Sequence, residues 1–160
     1  MKLSPKARLA LIVIPVILIF DQWSKWWVLK NFRLGESHEY IKNFFAFTYV
    51  QNRGAAFSFL HSAPDSFRKP FFFIVPLLIL GFLIYLFVKL RPHQKLSAFS
   101  LALIAGGAVG NLIDRVQYGY VVDFIHFHWK DVYHYPMFNI ADSGIVVGAI
   151  LYWISTLKKD

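Results

Sequence analysis

Four long apolar stretches, at about residues 9–28, 70–88, 98–113 and 139–157, constrain this chain more than any other feature. A helix rises 1.5 Å per residue, so roughly 20 apolar residues cross a hydrocarbon core about 30 Å thick. Inside lipid the backbone must satisfy its own hydrogen bonds, and uninterrupted runs of this length do so as helices. The predicted fold is therefore an all-α membrane protein, a four-transmembrane-helix bundle. Composition agrees: at 57% hydrophobic and 16% charged residues, the chain has more apolar surface than one small soluble core can hide. Trp23, Trp26, Trp27, Trp129 and Trp153 lie near the ends of the runs, where amphipathic rings favour the membrane interface. With no Cys, disulfides, iron–sulfur clusters, thiolate metal sites and a cysteine nucleophile are excluded.

The first run follows Lys2, Lys6 and Arg8, like the basic start of a signal peptide, but it lacks a small-residue cleavage pattern and continues through Asp21-Gln22-Trp23-Ser24-Lys25. It reads as a retained helix. The second run contains Pro76 and Gly81, both tolerated in membrane helices. The third carries Ala105-Gly106-Gly107-Ala108-Val109-Gly110, and the fourth has Gly144 and Gly148 at i and i+4; small residues of this kind let helix backbones approach closely. No internal repeat appears, so a single domain over 1–160 is the simplest organisation.

Basic residues crowd the N-terminus, the link between the second and third runs (Lys89, Arg91, Lys95) and the C-terminus (Lys158, Lys159). An even number of spans places all three on one side, and the positive-inside rule makes that side the cytoplasm. Eight of the nine acids fall on or near the other side, with Asp160 the exception, which predicts an active region at the outer face. The net charge of +8 thus reads as topology, and nucleic acid is not an expected partner. The outer loop from about Lys30 to Lys69 alternates apolar and polar residues around Tyr40–Tyr49, predicting a small outer-face β-rich element followed by a turn or short helix on the membrane. Val121–Ile125 is expected to be extended and tucked against the bundle.

Asp21, Asp114, Asp123 and Asp142 stand in or at the ends of apolar segments. A charge in hydrocarbon costs about 2.5–3.5 kcal/mol on insertion scales, so each needs a partner, a cavity or a function. Asp21 and Lys25 have the i, i+4 spacing of a helical ion pair, an anchoring role. Asp114 is next to Arg115 and one turn after Asn111, which predicts a structural network, with Arg115 also able to steer a substrate carbonyl. Asp123 and Asp142 have no basic residue within helical reach. Asp142 falls in the first turn of the fourth helix, and Asn139 can cap that end. Asp123 lies between Val122 and Phe124, an apolar setting that raises a carboxyl pKa by desolvation. Two such carboxylates brought together would share one proton and serve as general base and general acid, the aspartic-protease solution to peptide hydrolysis. Proton relays and transporter ion sites also use paired intramembrane Asp, so a small proton-coupled transporter remains the alternative.

His126 and His128 alternate in Ile-His-Phe-His-Trp and share a face of a strand, but no third ligand stands close in sequence. Polar interface tips are the simpler reading than a metal site. Ser58, Ser62 and Ser143 lack an adjacent base and a Gly-x-Ser-x-Gly elbow.

Asp21–Lys25, Asn52-Arg53-Gly54-Ala55-Ala56-Phe57, Gly106–Arg115, Val121–Phe124 and Phe138–Ser143, five motifs in order along nearly the whole chain, together resemble the bacterial lipoprotein signal peptidases, or type II signal peptidases. The resemblance implies a multi-pass enzyme of the bacterial inner membrane with both termini cytoplasmic. Such an enzyme cleaves the signal peptide of prolipoproteins before a diacylglyceryl-modified cysteine. It implies that Asp123 and Asp142 are catalytic, that Asn52, Gly54, Asn111, Arg115 and Asn139 line the substrate site, and that Asp21 is needed for activity or integrity; Lys25 and Asp114 are its structural support on their spacing. It implies no metal or organic cofactor, contact with membrane lipid, and occupation of the site by cyclic peptide antibiotics. A lipidated substrate stays in the bilayer, since each buried methylene adds about 0.8 kcal/mol of anchoring. The loop from Asn52 to Phe59 is accordingly expected to clamp it, with Phe57 and Phe59 toward lipid or acyl chain.

Overall fold

The computed structural model describes residues 3–54, 64–130 and 132–157. Four helices long and apolar enough to cross a membrane are present: α1 (Pro5–Asn31), α2 (Asp65–Lys89), α3 (Lys95–Tyr118) and α4 (Ile140–Leu157). Each of the first three extends beyond its apolar run, because polar residues at the ends continue the helical hydrogen bonds outside the hydrophobic stretch. At 27 residues, α1 is about 40 Å long. Ser4 caps its start by accepting from the Ala7 N–H. At the same end, Lys6 Nζ donates to the Phe87, Val88 and Leu90 carbonyls, closing the open C-terminus of α2 with a cation.

α3 is the central helix: 56% of its most apolar window is buried, against 11–22% for the other three. Glycine makes this possible. A Cβ on Gly107 would strike the Ala141 carbonyl of α4, and one on Gly148 would lie 2.8 Å from the Ser100 carbonyl of α3. Gly107 and Gly148 therefore form the α3–α4 seam, while Gly106 and Gly144 face Ile17 of α1. Ser97 Oγ donates across the seam to Ser155 Oγ at 3.0 Å.

The loops fold into an antiparallel sheet of order β1-β2-β3-β4, with β1 Ser37–Ile41, β2 Phe45–Asn52, β3 Val121–Trp129 and β4 Tyr133–His134. Gln51 pairs with Val122 and Asn52 with Val121, and a register shift falls between Phe47 and Val50. Val28 of α1 and Phe32 just beyond it pack with Tyr49, Val122 and Phe124 of the sheet, so the sheet rests on the end of the bundle. Gly119, at φ +76°, ends α3 in the left-handed conformation and turns the chain directly into β3. Residues 55–63, with Phe57, Phe59, Ser58 and Ser62, lie outside the described residues, as do Lys2, Lys158 and Lys159.

Candidate active site

Where β3 meets the ends of α3 and α4, polar side chains from five elements converge. Asp123 arrives on β3 and is 2% exposed. Its Oδ1 accepts from Asn139 Nδ2 at 2.8 Å and its Oδ2 from Asn52 Nδ2 at 2.9 Å. Asn52 ends β2, and its own Oδ1 accepts from the Gly54 N–H at 3.0 Å, a local turn that fixes the amide. Desolvation, then the Asp142 charge, push the Asp123 carboxyl up from 3.8 to about 7 against the lowering pull of Asn52, Asn139 and Lys25.

Asp142 occupies the first turn of α4. Asn139 Oδ1 accepts from the Asp142 N–H at 2.9 Å, and Asp142 Oδ2 accepts from the Asn139 N–H at 3.2 Å. This is a capping box with Asp in the place of Glu. The helix start thereby aims Asp142 Oδ1 at Asn111 Nδ2, which donates at 2.7 Å. Asn139 is fully buried, and its Nδ2 also faces Asn111 Oδ1 at 3.1 Å and the Val122 carbonyl at 3.3 Å. One asparagine thus caps α4 and bridges the two carboxylates.

Beneath them lies a second acidic pair. Lys25 Nζ sits 2.9 Å from Asp21 Oδ2 and 2.9 Å from Asp114 Oδ2, and donates to Asn111 Oδ1 at 3.0 Å. Asp21 also accepts from the Ala141 N–H at 2.9 Å, and Asp114 from the Val122 N–H at 3.0 Å. The i, i+4 pair expected from sequence is present. Asp114, however, takes Lys25 as its direct partner instead of its neighbour Arg115, because consecutive helical residues do not face each other whereas Asn111 and Asp114, three apart, do. Arg115 instead donates to the Asn111 carbonyl at 3.1 Å, and its guanidinium lies 5.6 Å from the centre of the Phe72 ring. Its charge acts on Asp142 and Asp123 as well as Asp114. Among the described residues, no buried side-chain nitrogen or oxygen lacks a hydrogen-bond partner.

Asp123, Asp142, Asn52, Gly54, Asn111 and Arg115 all line a cavity of about 1190 Å³. Its lining also includes the apolar side chains of Phe127, Met137, Ile145, Val146 and Val147. The cavity can hold a chain whose one part is polar and whose other part is hydrocarbon.

The model of the family described as signal peptidase (SPase) II matches residues 13–158. The chain belongs to the signal peptidase II family. It is 44% identical to a lipoprotein signal peptidase of Geobacter sulfurreducens, over 99% of this chain and 97% of that protein. It is 49% identical to one of Shewanella woodyi, over 89% of this chain and 80% of the relative. A solved bacterial membrane enzyme superposes with a TM-score of 0.85 at 34% identity, covering 99% of this chain and 93% of that one. The chain is thus a multi-pass membrane protein of a peptidase family.

Two features of this signal peptidase II chain were not legible in its sequence. Gln22, inside the Asp21–Lys25 motif, donates to Asp114 Oδ1 at 2.9 Å and to the Gly110 carbonyl at 3.2 Å; its place one residue after Asp21 gives no sign of this. His134 joins His126 and His128, with His126 Nε2 and His134 Nδ1 3.0 Å apart and the rings stacked. Only the pairing of β4 with β3 brings it there.

Proposed function

We propose that the chain is an aspartic endopeptidase that removes the signal peptide from prolipoproteins, cutting before the diacylglyceryl-modified cysteine, with Asp123 and Asp142 as its catalytic pair. The observation that carries this reading is that the two carboxylates, from β3 and α4, open into one cavity and share Asn139. Asp123, pushed up to about 7, keeps the pair singly protonated near neutral pH, with the proton belonging to the pair and not to either member.

In that state the ionised carboxylate takes a proton from a water as the water oxygen bonds the scissile carbonyl carbon. The protonated carboxyl gives its proton to the carbonyl oxygen. Collapse of the tetrahedral diol breaks the C–N bond and moves a proton to the leaving nitrogen. The products are a signal peptide with a new carboxylate and a lipidated cysteine with a free amine. Asn52, Gly54 and Arg115 lie along the polar side of the cavity to position the substrate backbone, and the α4 wall receives its hydrocarbon. Cyclic peptide antibiotics would compete for the same cavity. The three basic segments support a topology with both termini in the cytoplasm and the cavity near the outer face.

The decisive experiment assays Asp123→Asn and Asp142→Asn variants on a lipidated precursor peptide. Loss of cleavage with an intact fold is expected from each. Near-full activity in either, with the peptide cut normally, overturns the pair. Family membership does not favour the transporter alternative.

A further inference from the structure

Lys25 is 2% exposed and reaches the carboxylate pair by way of another side chain. An ammonium has three N–H donors, and here Asp21, Asp114 and the Asn111 amide oxygen receive them. Two carboxylates already outweigh one positive charge, so the third contact is not needed for charge balance. It goes to a neutral amide whose other end donates to Asp142 Oδ1.

We propose, resting on the reading of Asp123 and Asp142 as the catalytic pair, that Lys25 is a positioning residue for the reaction. Its bond to Oδ1 fixes which way round the Asn111 amide sits and so keeps an N–H directed at Asp142. The alternative orientation fails on donor and acceptor chemistry. Rotating the amide by half a turn sets its NH2 against the Lys25 ammonium and against Asn139 Nδ2, both donors, and its oxygen against a carboxylate. Three attractive contacts become three repulsive ones. The chain from Lys25 through Asn111 to Asp142 is also polarised by a full charge at its head, whereas Asp123 accepts only from the neutral amides of Asn52 and Asn139. Lys25 thus makes the environments of the two carboxylates unequal.

The test uses the full-length enzyme and a lipidated precursor peptide. Lys25→Met alone would strand two buried carboxylates. The informative variants are therefore the doubles Lys25→Met/Asp21→Asn and Lys25→Met/Asp114→Asn, which leave the cluster with the net charge of the wild type. Each is compared with its own single, Asp21→Asn or Asp114→Asn, which keeps the ammonium. Expected is a kcat about 10- to 100-fold below the matching single, the scale of a misplaced reacting group, with KM changed far less. A second readout is the pH profile. Asp123 is faced by Asp142 from α4, Lys25 from α1 and Arg115 from α3, with His128 of its own strand also lining the cavity. Because the Lys25 charge lowers the Asp123 carboxyl, its removal moves the alkaline limb of the kcat profile to higher pH in the doubles and not in the singles.

Doubles that match their singles in kcat and in pH profile overturn the proposal. So does failure of both doubles to fold, which would make Lys25 a residue of the fold alone. If Asp123→Asn or Asp142→Asn remains active, the catalytic-pair reading falls and this inference with it. If those two are inactive while the doubles are normal, only the role of Lys25 falls.

Discussion

The protein buries two pairs of aspartates within one polar network and treats them in opposite ways. Asp21 and Asp114 share the Lys25 ammonium and backbone N–H groups, with no side of the cavity open to them. Among the described residues, Asp123 and Asp142 receive amide N–H donors alone, and both line the cavity. A carboxylate paired with a buried cation ties together the helices that carry the two charges. One stabilised by neutral amides and opened to a cavity can still exchange a proton. The difference divides four residues of the same type into a closed pair and an open one.

Breaking the open pair should have the largest effect on activity. Asp123→Asn or Asp142→Asn is expected to lower kcat by about 10³-fold or more, in the upper range for removing a general acid or base, while the thermal midpoint in detergent stays near wild type. Breaking the closed pair should show first in stability. Lys25→Met leaves Asp21 and Asp114 buried without their cation and should cost about 3–5 kcal/mol of stability, read by thermal or denaturant unfolding. If Lys25→Met is as stable as wild type, the distinction between the pairs collapses. A smaller effect is expected from Asn52→Ala, which removes one of the two donors to Asp123: about 10-fold in turnover with an intact fold, measured on the lipidated peptide. Unchanged kinetics would remove Asn52 from the site.

The subtlest consequence concerns pH. Asp123 is held at about 7 in the folded enzyme, above its ordinary 3.8, so the folded state binds this proton more tightly than the unfolded chain. The stability it contributes is full below about 4 and is lost as pH rises through about 7. The wild-type thermal midpoint should fall across that window, and Asp123→Asn should flatten that part of the profile. An equal slope in both proteins would show that the open pair is not strained by its burial.

Much of the architecture was legible before any coordinates. The four apolar runs report helices because lipid tolerates few alternatives, and glycines at close spacing report a tight seam because only they lack a Cβ. The Asp21–Lys25 pair follows from helical spacing, and Asn139 with Asp142 from the chemistry of a helix start. Such features depend on contacts within a few residues. The helix ends were less legible: α1 and α3 run past their hydrophobic stretches at both ends, since hydrogen bonding and not hydropathy ends a helix.

What the chain order by itself determined is the inventory: four spans, a small sheet, and four acids that lipid will not accept unpaired. Only the tertiary structure decided which acids are closed off and which remain open. That depends on contacts spanning 71 residues between Asn52 and Asp123, 86 between Lys25 and Asn111, and 31 between Asn111 and Asp142. A side chain's charge state is set by whatever packs against it, and at these separations it is the docking of α1, α3, α4 and the sheet that supplies the neighbours.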